Sequence, residues 1–132
     1  MKLDTIVRAG MLSSLLGTLL FLGAVDRVQA AENAAAQSNI EAGRAIAFDR
    51  EKGNCLACHA LPGGSQAGNV APALPMKGVT FQQMFQTKEK LVAFLADPEK
   101  LFPYANMPQF GKNDVLTPKE LQQVADYLWS LN

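Results

Sequence analysis

The stretch that most constrains this 132-residue chain is Gly53-Asn54-Cys55-Leu56-Ala57-Cys58-His59. Two thiols three positions apart, followed at once by an imidazole, make the attachment pattern of a c-type haem. The spacing has a chemical reason. Each thiol reaches one of the two vinyl groups on the porphyrin edge, and the turn between them swings the next imidazole beneath the ring. Rival readings need ingredients this chain lacks. A structural zinc site takes four Cys or His ligands, whereas the sequence holds two Cys and one His in all. A thioredoxin-like dithiol sits in a βαβ unit, and no segment here alternates as a strand does. Cys55 and Cys58 are therefore read as the covalent anchors of one haem c, and His59 as an axial ligand to its iron.

The front of the chain reads as a signal rather than as fold. Lys2 and Arg8 supply positive charge ahead of an apolar run from Ala9 to Val25, and Val28-Gln29-Ala30 is a small-residue cleavage signal. That pattern is a secretory leader, 1–30, cut after Ala30. The alternative is an uncut membrane anchor. Export to the periplasm suits covalent haem and a Cys pair. Losing Lys2, Arg8 and Arg27 with Asp4 and Asp26 leaves nine of the 12 basic and ten of the 12 acidic residues. A balance so near zero gives no footprint for nucleic acid or for an anionic membrane. A chain this short builds a small core, which a large buried cofactor would complete.

Residues 31–38 are Ala-, Gln- and Asn-rich and read as a flexible leader, with the haem-binding domain over 39–132. Ser38 or Asn39 is placed to cap a first helix through Ile40, Gly43, Ile46 and Ala47, which Gly53 ends. Gly43 costs about 1 kcal/mol against Ala inside a helix, so a close crossing by another helix is expected there, with Tyr127 resting on it. The stretch 60–78, with Gly63, Gly64, Gly68 and Gly78 among Pro62, Pro72 and Pro75, is a loop. A ligating His gives its other ring N–H to a fixed acceptor, and the Pro72 carbonyl is the candidate for His59. A helical turn follows over Thr80–Gln86, then a helix over Lys88–Ala96 capped by Thr87 and stopped at Asp97-Pro98. Thr117-Pro118-Lys119-Glu120 is a capping box with Pro at the first helical position. It opens a last helix through Leu121, Val124, Ala125, Leu128 and Leu131. The expected fold is all-α.

With a single His, the second axial position falls to Met, Lys, water or nothing. Met/His ligation raises the potential and suits an electron carrier. Met84 sits in an apolar cluster with Phe81 and Phe85 and reads as core. Met76 follows closely on His59 in the first loop, near for a crossing to the opposite face. Met107 lies in a Pro-flanked loop between two helices, where irregular backbone can aim a thioether, and is preferred.

The order of helix, Cys-x-x-Cys-His, loop, helix, Met-Pro loop and final helix resembles the class I cytochromes c. A finer resemblance rests on Ala-Phe-Asp (47–49), Gly-Asn-Val-Ala-Pro-Ala-Leu (68–74), Asp-Pro (97–98), Asn-Met-Pro-Gln-Phe-Gly (106–111) and Leu-Thr-x-x-Glu-Leu (116–121). These resemble the SoxX family, the small monohaem subunits of the sulfur-oxidising SoxAX cytochromes. Two departures stand out: Met-Pro-Gln where the family more often has Met-Pro-Pro, and Ala71-Pro72 where Gly-Pro is usual. The resemblance implies a heterodimer with a larger SoxA-type cytochrome that carries the reactive cysteine. The complex joins thiosulfate to a cysteine of a SoxYZ-type carrier protein, as an L-cysteine S-thiosulfotransferase. The resemblance makes Cys55 and Cys58 the haem attachments, His59 the proximal and Met107 the distal ligand, with electrons passing to a periplasmic acceptor.

The residues agree with that division of labour. Both Cys are consumed by haem, and no nucleophile–base pair or paired catalytic carboxylates can be picked out. A free-standing soluble cytochrome shuttle is the alternative, and an open-iron gas sensor or peroxidase the third reading. Surface separates the first two: an apolar patch at the haem edge for a bound subunit, a charged ring for a shuttle.

Overall fold

A computed structural model describes residues 13–131, with side chains from Asp26 to Leu131. The chain divides into two compact units, Met1–Ala35 and Ala36–Asn132. Helix α1 runs Ser13–Phe48, α2 Phe81–Phe85, α3 Lys88–Ala96 and α4 Pro118–Ser130, with short 3-10 turns at Cys55–Ala57 and Pro98–Lys100. Among the described residues there is no strand, and the all-α expectation holds.

In the first unit Lys2, Arg8 and the start of the apolar run lie outside the described residues. No helix among the described residues is long and apolar enough to cross a membrane. The expected helix start at Ser38 or Asn39 is corrected. Residues 31–38, read as an unpatterned leader, are helical and exposed, and α1 passes through them without a cap. Composition explains it, because Ala34, Ala35, Ala36 and Gln37 are good helix formers. Gln37 also reaches Glu41 one turn on, Nε2 donating to Oε1 at 3.3 Å.

The second unit is built on one core. Ile46 and Ala47 of α1, Phe81 and Phe85 of α2, Leu91 and Leu95 of α3, and Leu121, Val124, Ala125, Tyr127 and Leu128 of α4 are all buried. Removing each large side chain from water contributes about 1.5–3 kcal/mol. The α4 set falls at the helical interval the sequence displays. Gly43 is buried where α1 meets α4: a Cβ there would stand 1.8 Å from the Gln123 carbonyl oxygen and 3.0 Å from Tyr127 Cβ. The expected crossing exists, with Tyr127 against the glycine.

Caps set the helix starts. Thr117 Oγ1 accepts from Glu120 N while Glu120 Oε2 accepts from Thr117 N. Thr80 and Gln83 form a second reciprocal box on α2, signalled in the sequence by Thr-x-x-Gln. Glu120 also pairs with Lys52, tying the start of α4 to the haem-motif segment, and Lys88 pairs with Asp126 across α3 and α4.

The Lys52 ammonium, then the N–H and hydroxyl of Thr117, hold the Glu120 carboxyl down at about 2. Its unfolded value is about 4.3. A depressed acid contributes stability that is complete above the unfolded value and is lost as pH falls toward the folded one. Acid unfolding should therefore steepen between about pH 4 and pH 2, and Glu120→Gln should flatten that limb. Circular dichroism against pH for the two proteins checks it, and identical curves would remove Glu120 from the account.

Candidate functional site

The Cys55–His59 turn is shaped by its own backbone. Past the end of α1, Gly53 N donates to Ile46 O at 3.1 Å and Asn54 N to Asp49 O at 2.9 Å. A Cβ on Gly53 would lie 2.7 Å from Ile46 O, so glycine is what lets the chain double back. Asn54 takes a left-handed φ of 47° and starts the 3-10 turn, a conformation Asn tolerates better than most residues. Cys58 N and His59 N then both donate to Cys55 O, at 3.2 and 2.9 Å. One tight turn thus separates the first thiol from the imidazole.

The loop 60–78 is sewn along this turn. Gly68 N donates to Leu56 O at 2.7 Å, Ala71 N to Cys58 O at 3.0 Å and Leu74 N to Ala60 O at 2.8 Å. Gly68 is required by the close approach, since a Cβ would stand 2.2 Å from the Ala57 carbonyl oxygen. The stitching brings Pro72 O to 2.6 Å from His59 Nδ1. A carbonyl only accepts, so Nδ1 carries the proton and Nε2 keeps its lone pair for a metal.

Two chambers open beside the turn. The outer one, about 630 Å³, is walled by Cys55, Cys58, Val70, Ala71, Asn106, Pro108, Phe110 and Val115 among others. The deeper one, about 190 Å³, is apolar apart from His59 and is walled by Leu74, Phe81, Phe85, Leu91, Phe94, Leu95 and Leu128. His59, Pro72 and Met107 belong to both walls. Phe85 and Phe94 back the deeper chamber, with ring centroids 5.1 Å apart. Together these volumes lie in the range of cofactor pockets.

The donor set fits haem. Two half-buried thiols face the outer chamber, and an imidazole with a free Nε2 and a half-buried thioether flank both chambers. Burial pushes the Cys55 thiol up to about 11, so it rests as the neutral S–H, which adding across a vinyl group converts to a thioether. All three methionines of the core-forming unit line the deeper chamber, including Met84, read from sequence as core. Met84 is half-buried and packs on the core as well. No group of three or more Cys, His, Asp or Glu arranged to hold a bare metal ion occurs among the described residues.

A family model for cytochrome c matches residues 40–132. The chain belongs to the cytochrome c family. It is an electron-transfer haem protein, with haem c attached covalently at the Cys-x-x-Cys-His motif. No curated protein and no solved structure matched the chain. Bound haem supplies a one-electron iron couple; what the chain supplies is attachment, a water-poor apolar chamber and fixed ligand geometry.

Sequence reasoning missed three features. The loop ladder between 56–60 and 68–74 joins segments whose pairing no local pattern announces. Arg44 lies with its guanidinium carbon 4.5 Å over the Phe48 ring and donates to Gly63 O at 3.4 Å; the only signal was the spacing of four residues between Arg44 and Phe48. Asp97 was read as a helix stop, and it is also buried.

Proposed function

We propose that this chain is the electron-transfer subunit of a SoxAX-type complex, with its haem iron held by His59 and Met107. The observation that carries the subunit reading is the rim of the outer chamber. Val70 is 81% exposed and Val115 44% exposed, on the walls that also hold Cys55 and Cys58. Exposed Pro72 and Pro108 extend that rim. Its cations are Arg50 and Lys52, and Lys52 is paired with Glu120. An apolar rim suits a lasting partner better than transient electrostatic docking.

Loop placement supports Met107 as the distal ligand. Met76 follows Pro72 on the same loop whose residues 68–74 are stitched to the His59 segment, close along the chain for a crossing to the opposite face. Met107 comes from a different loop, beyond α3, and meets both chambers.

In the proposed complex a carrier cysteine is joined to thiosulfate. An S–S bond forms, the S–H bond breaks, and one proton and two electrons leave. Both thiols of this chain are committed to haem, so the sulfur chemistry belongs to the SoxA-type partner and a SoxYZ-type carrier. This chain receives electrons one at a time and passes them to a periplasmic acceptor. Its apolar leader, cut after Ala30, would deliver it to that compartment.

Size-exclusion of a native periplasmic extract, following covalent haem at this chain's mass, tests the reading. Co-elution with a larger haem protein bearing a reactive cysteine is expected. Elution at the mass of this chain alone would overturn it and leave a diffusible electron shuttle.

A further inference from the structure

The loop that carries Met107 closes on a neck of three residues. At its start, Leu101 N and Phe102 N donate to Pro98 O, at 3.2 and 3.0 Å. At its end, Gly111 N and Lys112 N donate to Ala96 O, at 3.1 and 3.0 Å. Gly111 fits so closely that a Cβ would stand 2.8 Å from Ala96 Cβ. Between the two carbonyls lies Asp97, only 6% exposed. Its Oδ1 is buried without a partner. Oδ2 lies 3.7 Å from Lys100 Nζ and 3.8 Å from Lys112 Nζ.

A carboxylate is badly placed here on helix grounds alone. Asp97 follows the last residue of α3, where the helix dipole is negative, and burial without hydrogen bonds adds to the cost. It makes no side-chain cap to the 3-10 turn that follows. Two cations offset this, and they differ in reach. Lys100 stands on the same turn as Asp97 and joins nothing new. Lys112 stands at the far end of the Met107 loop, so its attraction to Asp97 draws that end onto the neck.

We infer that Asp97 is a positioning residue that clasps the Met107 loop through Lys112 and so keeps the thioether at the iron. This rests on the proposed Met107 ligation. The two lysines lie at nearly the same distance from one carboxylate and give a matched control. A pure charge effect on Asp97 would be alike for both, whereas a clasp needs Lys112 alone.

The test uses the haem-loaded ferric protein and two readouts, the thioether-to-iron charge-transfer band and the rate of cyanide binding. Lys112→Met should weaken the band and speed cyanide by about threefold to fivefold, the span of a partly exposed ion pair. Lys112→Arg should restore the wild-type values, and Lys100→Met should leave them unchanged. Asp97→Asn should give a larger rise than Lys112→Met. Lys112 is 54% exposed along its side chain, so its variants keep the core. Equal behaviour of Lys112→Met and Lys100→Met, or no change in either, overturns the clasp. A Met107→Ala reference separates the two ideas: if it alters neither readout, the ligation reading itself has failed.

Discussion

Met107→Ala is expected to abolish the thioether-to-iron band, open the iron to cyanide and carbon monoxide, and lower the reduction potential. The reasoning begins at the walls. The described residues contain one imidazole, and it already donates Nδ1–H to Pro72. With Met107 truncated, the deeper chamber is left with His59, apolar neighbours and the thioethers of Met76 and Met84. Met76 stands on the loop whose residues 68–74 are stitched to the His59 segment and Met84 on α2, and neither is expected to move into the place of Met107. A neutral sulfur favours ferrous over ferric iron, and axial ligands command a span of roughly 0.8 V in haem proteins. The fall should be a visible part of that span. Potentiometry with and without cyanide reads it directly. A variant with unchanged potential and no new ligand binding would place the iron's sixth ligand elsewhere.

Gly43→Ala is expected to destabilise the domain by about 3 kcal/mol. In a free helix the same change helps by up to about 1 kcal/mol, so the sign itself is informative. Here the new methyl would meet the Gln123 carbonyl at 1.8 Å. That neighbour is backbone, not the swinging end of a side chain. To make room α4 must shift, and α4 carries Leu121, Val124 and Leu128 into the core. For a domain of this size the loss corresponds to a fall in Tm on the order of 10–20 °C. Thermal unfolding of the haem-loaded protein measures it, and an unchanged or higher Tm would rule out a tight crossing at Gly43.

Local patterns were the legible ones. Thr117-Pro118-Lys119-Glu120 announces a helix start because each partner of the cap lies within one turn, and the structure closes that box. Cys55, Cys58 and His59 are legible for the same reason, since their chemistry depends on spacing along the chain. Gly43 was readable one step further: a glycine retained where it costs stability implies something close by. What stayed hidden depends on distant pairing. Gly68 looked like any loop glycine until Ala57 came to lie against it. Asp97 looked like a stop signal, because burial and two converging lysines are properties of the folded neck. At 31–38 the error ran the other way: lack of an apolar stripe was taken for lack of structure, although Ala-rich composition favours helix without one.

The acceptor of the His59 proton is a main-chain oxygen, and every residue type has one. Exchanging the side chain at position 72 leaves that oxygen in being, so point mutation has little purchase on the bond that fixes the imidazole. Length is what governs it. Between Ala60, which holds Leu74, and Cys58, which holds Ala71, one residue gained or lost would move a different carbonyl, or none, under Nδ1. For that one bond, insertions and deletions between Ala71 and Leu74 are more disruptive than any exchange of the side chain at position 72.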